Sequence, residues 1–273
     1  DQASKLASFR LGSKEAEQAF GGIQASQDGT KTLVVQLKAA AGAEGYALEL
    51  PSELVADKQA VLSLDIHTEL GNLWIPGDLL AASKEQLGES IVVSISKANR
   101  AGTGKDAASV FGERPAISLQ LAAAKGVSLQ WTDAPAPIKV MLPYQPGSGE
   151  AKNPEKLVVV LAGEQGQYTP VPSGKYVPSL GQIVFRAWQP GVYAVGYDEH
   201  TFQDIGNLTW ARQAIEALAA KGIVHGVSES AYQPQAMIRR ADFAALLVQA
   251  FELNRNHAQS AERFADVPQD AYY

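Results

Sequence analysis

Along the first two thirds of the chain, apolar and polar residues alternate with a period of two. That is the spacing of strands that bury one face. Leu33-Val34-Val35-Gln36-Leu37 and Tyr46-Ala47-Leu48-Glu49-Leu50 read this way, as do Val61, Leu62, Leu64 and Ile66. Gly71-Asn72 then precedes Leu73-Trp74-Ile75 and predicts a hairpin, because both residues tolerate positive φ. The series continues through Ile91-Val92-Val93-Ser94-Ile95, Ile117-Ser118-Leu119-Gln120-Leu121, Val127-Ser128-Leu129-Gln130-Trp131 and Ile138-Lys139-Val140-Met141-Leu142. Segments 157–161, 182–185 and 192–195 complete it, while the first dozen residues carry too little pattern to assign. So many short strands punctuated by Gly and Pro predict antiparallel β-sandwich-like modules.

Two stretches lack an apolar stripe, 97–115 and 144–154. The second reads either as a linker or as a long hairpin loop. On the first reading, a β-rich module at 1–131 precedes another at 132–198, which is a separate unit or a subdomain of the first. After His200 the period becomes helical. Trp210, Ala214, Ile215 and Leu218 share one face, and Lys221-Gly222 supplies a helix C-cap. Ala244, Leu247, Val248 and Phe251 form a second stripe. The predicted fold class is therefore mostly β, followed by a small all-α helix-turn-helix unit.

Composition narrows the function. Hydrophobic residues are 46% and charged residues 19%, which suits a packed core rather than a disordered chain. The net charge of −6 argues against nucleic acid as a partner, since phosphate binding needs a basic face. The absence of cysteine excludes disulfides, thiolate metal sites and a cysteine nucleophile. No apolar run approaches the roughly 20 residues that span a bilayer, so membrane insertion is not expected. Asp1 opens no basic-then-apolar leader. His67, His200, His225 and His257 are scattered without metal-ligand spacing. Glu49, Glu53 and Asp65 offer carboxylates for a glycan-active site, but a chain with 29 acids always offers some. No nucleophile elbow, Walker loop or dinucleotide fingerprint appears. No cofactor is expected.

One internal repeat stands out. Phe202-Gln203-Asp204-Ile205 recurs as Phe264-Ala265-Asp266-Val267, and Tyr272 then takes the place of Trp210. The first unit spans 199–259. The second, 260–273, reads as the truncated start of another, which predicts that the chain is a fragment of something longer.

Residues 202–253 resemble the S-layer homology (SLH) repeat of bacterial surface proteins. The residues that carry this are Phe202-x-Asp204-Ile205, Trp210-Ala211, Gly222-Ile223-Val224-x-Gly226, Tyr232-x-Pro234 and Arg239-Arg240-Ala241-Asp242-Phe243-Ala244. The family's usual Thr-Arg-Ala-Glu is here Arg239-Arg240-Ala241-Asp242, which keeps the arginine. Pro137 to Tyr144, Leu157-Val158-Val159, Ile183-Val184-Phe185 and Tyr193-Ala194-Val195 resemble a β module found next to SLH repeats in exported Gram-positive proteins.

The resemblance implies a non-catalytic anchor at the extracellular cell surface. Neighbouring SLH repeats of one chain would pack together and grip secondary cell-wall polysaccharide, commonly pyruvylated. Arg240 would hold the carboxylate with two parallel hydrogen bonds. Gly222 and Gly226 would let a sugar approach the backbone, Trp210 would stack on it, and Asp204 would line the site. Each has a plainer reading: Trp210 as core, Asp204 as a helix anchor, Gly222 as a cap, and Arg240 as an ion-pair partner. The β modules would serve as a spacer or interaction domain. The rivals are a carbohydrate- or protein-binding surface built on Trp74, Trp131 and Trp188, and an enzyme domain within 1–198.

Overall fold

The computed structural model describes residues 5–38, 41–57, 61–98, 112–123, 126–163 and 167–253. Most of the 97–115 loop, His257 and the second copy of the repeat at 260–273 lie outside them.

Strands come first: β1 (Leu6–Arg10), β2 (Lys31–Gln36), β3 (Gly45–Pro51), β4 (Leu62–His67), β5 (Asn72–Pro76), β6 (Ser90–Lys97) and β7 (Ala116–Ala123). They are followed by β8 (Ile138–Pro143), β9 (Leu157–Ala162), β10 (Tyr168–Val171), β11 (Lys175–Val177), β12 (Gln182–Ala187) and β13 (Gly191–Tyr197). Helix α1 (Ser13–Gly21) lies between β1 and β2, and α2 (Arg212–Ala220) and α3 (Arg240–Ala250) follow β13. One sheet runs β1-β3-β6-β7-β13-β9-β10, and the other β11-β12-β8-β5-β4-β2.

The two sheets enclose a shared core. Leu64, Ile75, Ile138 and Phe185 reach it from one sheet, and Leu119, Leu157 and Val195 from the other. Fully burying such a side chain contributes about 1.5–3 kcal/mol. Alternation explains why these residues meet: β6 and β7 bury every second side chain and leave the rest half-exposed or exposed. β9 departs from that pattern. Its Leu157 and Val159 face the inner core, while Val158 and Val160 pack with Ala194 against Ala220 of α2. A strand covered on both faces reads as a continuous apolar run, as Leu157-Val158-Val159-Val160 does.

Several expectations change. The sandwich is mixed rather than antiparallel, because β1 pairs with β3 and β2 with β4 in parallel. The chain alternates between sheets from β1 to β4, so strands two apart in sequence return with the same direction. Within the unassigned start of the chain, Leu6–Arg10 form β1 and lead into α1, where Glu15 accepts a hydrogen bond from the Gly12 N–H at 3.0 Å. Val127–Trp131 is not a strand and makes only one bridge, between Ser128 and Ala122. Pairing crosses the boundary drawn at 131 and 132 in both sheets, β13 with β7 and β8 with β5. The 144–154 segment is tied down by Glu150, which accepts from Arg114 at 2.6 Å, Tyr144 at 2.7 Å and the Gly147 N–H at 2.8 Å. Burial and this carboxylate push the Tyr144 pKa up to about 12. The Gly71 turn forms as expected. A Cβ there would lie 2.7 Å from the Met141 carbonyl oxygen of the adjacent β8.

Candidate functional site

Beyond β13 the chain builds a second, smaller core from Phe202, Ile205, Ala211 and Ile215. The Phe202 ring packs on Tyr232 at 5.4 Å and edge-on to His200 at 4.9 Å. Asp204 holds this unit closed. Its carboxylate accepts from the N–H groups of Tyr232 at 2.9 Å and Gln233 at 2.7 Å, some thirty residues onward. Those two bonds keep its pKa below the usual range for aspartate. They also favour the loop that places Gln233 at φ 58.

The other expected site residues fall as follows. Gly226 sits against Phe202, where a Cβ would be 2.5 Å from the ring and 2.6 Å from two carbonyl oxygens. Gly222, at φ 65, ends α2: its N–H donates to Ala219 at 2.8 Å and the Ile223 N–H to Leu218 at 2.9 Å. A Cβ on Gly222 would meet Pro170 of β10 at 3.1 Å. Both glycines are thus explained by close packing. Trp210 is 86% exposed, which overturns its reading as core. Helical spacing had counted it into α2, but the helix starts only at Arg212. Arg240 is exposed at the first position of α3. Among the described residues no side chain forms an ion pair with it. Asp242 accepts from the Arg239 N–H at 3.0 Å, fixing the start of that helix. No hydrogen bond or ring contact joins Trp210 to Arg240.

The expected stripe on α3 is not buried. Its Ala244, Leu247 and Phe251 are exposed and its Val248 is half-buried; Phe243 on the same helix and Met237 and Ile238 just before it are exposed too. The opposite side, through Asp242, Ala245, Leu246 and Gln249, lines a groove against Ile223 and Tyr232.

Two glutamates that sequence reading missed join this unit to the sandwich. Glu216 of α2 has a side chain only 7% exposed. It accepts from Thr201 at 2.6 Å and Arg212 at 2.9 Å, and pairs with Lys156 at 2.9 Å. Burial opposes its charge, but these three donors outweigh that and hold its pKa at about 2. Glu252, also 7% exposed, follows α3 at φ 51. Its carboxylate accepts from the Ser173 N–H at 2.8 Å and Trp188 Nε1 at 3.3 Å, and pairs with Arg186 at 2.8 Å.

The rival surfaces do not assemble. Trp131 is core, its Nε1 donating to the Ala187 carbonyl at 2.9 Å. Trp188 serves Glu252, and Trp74 lies under the Lys139 ammonium, 4.3 Å from the ring centre. The three tryptophans therefore form no exposed row. The carboxylates are placed separately: Glu49 bonds to Ser90 at 2.9 Å, Asp65 pairs with His67 at 2.9 Å, and Glu53 lines a pocket beside α1. Among the described residues no cluster of His, Cys, Asp or Glu is suited to a metal, and no helix is long and apolar enough to cross a membrane.

Comparison with known proteins places a name on part of this geometry. Residues 201–244 match the model of the S-layer homology domain. The chain is 31% identical over 124 residues to an amylopullulanase of Thermoanaerobacterium thermosulfurigenes, covering 45% of this chain and 6% of that protein. It is 38% identical over 125 residues to endo-1,4-beta-xylanase A of Thermoanaerobacterium saccharolyticum, covering 43% and 10%. It is 34% identical over 73 residues to exoglucanase XynX of Acetivibrio thermocellus, covering 27% and 6%. The chain thus spans a tenth or less of these relatives. No solved structure matches it significantly. The unit closed by Asp204, capped at Gly222 and continued into α3 is an S-layer homology domain.

Proposed function

We propose that this chain is the anchoring part of a larger exported enzyme, and that its SLH domain fastens that enzyme to cell-wall polysaccharide at the surface of a Gram-positive bacterium. The observation that carries this is Arg240: an exposed guanidinium at a helix start, unpaired among the described residues, inside a matched SLH domain. A planar guanidinium at the positive end of a helix suits the carboxylate of a pyruvylated sugar. Trp210, being exposed, offers a flat apolar surface to the sugar ring. Asp204, Gly222 and Gly226 shape the unit that presents them. The exposed face of Phe243, Leu247 and Phe251 is where a neighbouring repeat would pack. The sandwich acts as a spacer or interaction domain, a reading supported by the placing of the acids weighed for catalysis: Glu49 and Asp65 lie on strands of different sheets, and Glu53 lines a pocket beside α1.

Sedimentation with purified wall sacculi tests the reading. The chain, with one complete repeat, should co-sediment weakly but measurably with intact sacculi and remain in solution with sacculi stripped of polysaccharide. Arg240→Ala should weaken binding about tenfold or more, and Arg240→Lys should weaken it too, because lysine lacks the fork. Equal binding to stripped and intact sacculi would overturn the proposal.

A further inference from the structure

Where α2 ends against the sandwich, the surface dips into a pocket of about 340 Å³, and every charged residue lining it is a cation. That volume lies within the range of about 300–1,000 Å³ usual for small-molecule sites. The cations come from four separate elements: Lys139 on β8, Lys175 on β11, Arg186 on β12 and Lys221 just after α2. Strand register gathers the first three. Lys139 stands opposite Arg186, and Lys175 stands opposite Val184, two residues from Arg186 on the same face. The Schellman turn at Gly222, seated against Pro170, delivers Lys221 from the other side.

The charges are not balanced within the protein. Arg186 is paired with Glu252, and the Lys139 ammonium rests over the Trp74 ring. Lys175 and Lys221 have no ion-pair partner among the described residues. Glu155, the acid whose field reaches Lys221, instead accepts a hydrogen bond from the Gln213 amide. Burial and the nearby Lys175 both disfavour the Lys221 charge. Lys139 and Lys175 are exposed and Arg186 and Lys221 half-buried, so like charges gathered at one hollow leave a positive field that a group of opposite sign would relieve. An oxyanion would answer all of them at once, and the Ser173 hydroxyl in the same lining adds a polar group.

We propose that this pocket binds the anionic group, carboxylate or phosphate, of an acidic sugar. The pocket needs both parts of the chain: three cations come from the sandwich and one from the SLH domain. The choice of a sugar rests on the wall-polysaccharide reading. The charge argument does not, and free sugars test it separately.

The experiment is a titration of the isotope-labelled chain with glucuronate, glucose 6-phosphate and glucose, followed at the amides of Ser173, Lys175, Arg186 and Gly222. At least one acidic sugar should shift these amides saturably, more weakly as salt is added, and glucose should not. The preferred acid identifies the group. Lys221→Gln and Lys175→Gln should each weaken binding about tenfold or more, with the melting midpoint showing that the fold is kept. No shift at these amides with either acid, shifts equal to those from glucose, or undiminished binding in both folded variants would overturn the site. Sacculus binding run in parallel separates the two readings. Saturable acid binding without co-sedimentation would leave the pocket and remove the anchor; co-sedimentation without acid binding would do the reverse.

Discussion

The two helices of the SLH domain end in the same turn made from different residues. After α2 the left-handed position is Gly222, at φ 65. After α3 it is Glu252, at φ 51, and the flanking bonds repeat: the Glu252 N–H donates to Gln249 at 3.1 Å and the Leu253 N–H to Val248 at 3.0 Å. At the first turn glycine removes a steric penalty and lets Pro170 approach. At the second, a residue with a Cβ accepts that penalty, about 1–2 kcal/mol, because its carboxylate is bonded to Ser173, Trp188 and Arg186 of the sandwich. One turn touches the sandwich by having no side chain, the other by having a long charged one.

The largest effect should come from Glu216, which fixes α2 ahead of the first turn. Glu216→Ala leaves Lys156, only 15% exposed, without its carboxylate. A cost of about 3 kcal/mol and a lower melting midpoint are expected. The same contact has a pH signature. The folded-state pKa of about 2 lies below the ordinary 4.5, so its stabilisation is complete above pH 4.5 and is lost as pH falls toward 2. Thermal melts of the wild type should show that loss, and melts of Glu216→Ala should lack it.

Next is the Glu252 turn. Glu252→Ala loses the bonds and keeps the strain, whereas Glu252→Gly loses the bonds and sheds the strain. The alanine variant should therefore be less stable than the glycine variant by about 1 kcal/mol, against the usual helix preference. Hydrogen exchange should speed up over α3 in both while α2 stays protected. Equal stabilities would show that Glu252 carries no strain.

Gly222→Ala should cost about 1–2 kcal/mol, since it adds a Cβ at positive φ 3.1 Å from Pro170. The smallest effect belongs to Trp210→Ala: a side chain 86% exposed should shift stability by no more than about 0.5 kcal/mol, whatever it does to glycan binding.

Strand positions were legible because period two reports which side chains a sheet buries. It does not report which strand lies alongside, so the parallel pairs β1–β3 and β2–β4 could not be read. Trp131 shows the limit from the other side: it was placed in a strand, yet it is an irregular residue that fills the core and bonds to Ala187. In the SLH domain the Gly222 cap was legible, because the sign of φ leaves its mark on residue choice. Glu252 was not. A glutamate after a helix reads as a solvated residue, and its partners lie 64 and 79 residues earlier in the chain. Asp204 reads in the sequence as a residue lining the site or as a helix anchor, but it closes a loop 28 and 29 residues away, beyond any local capping pattern.

The alternation of strand directions also has a mechanical consequence. Starting from β1 and following β3, β6, β7 and β13 across the sheet, one parallel pairing and three antiparallel ones set β13 opposite in direction to β1. The chain therefore enters β1 and leaves β13 toward the same end of the sandwich, with four strand spacings, roughly 19 Å, between the two strands across the sheet. Tension along the chain would load the sheet at that one end and open its hydrogen bonds one after another, rather than shearing a whole ladder at once. The Glu216 and Glu252 contacts lie beyond that exit, so the pull on β13 must first part them.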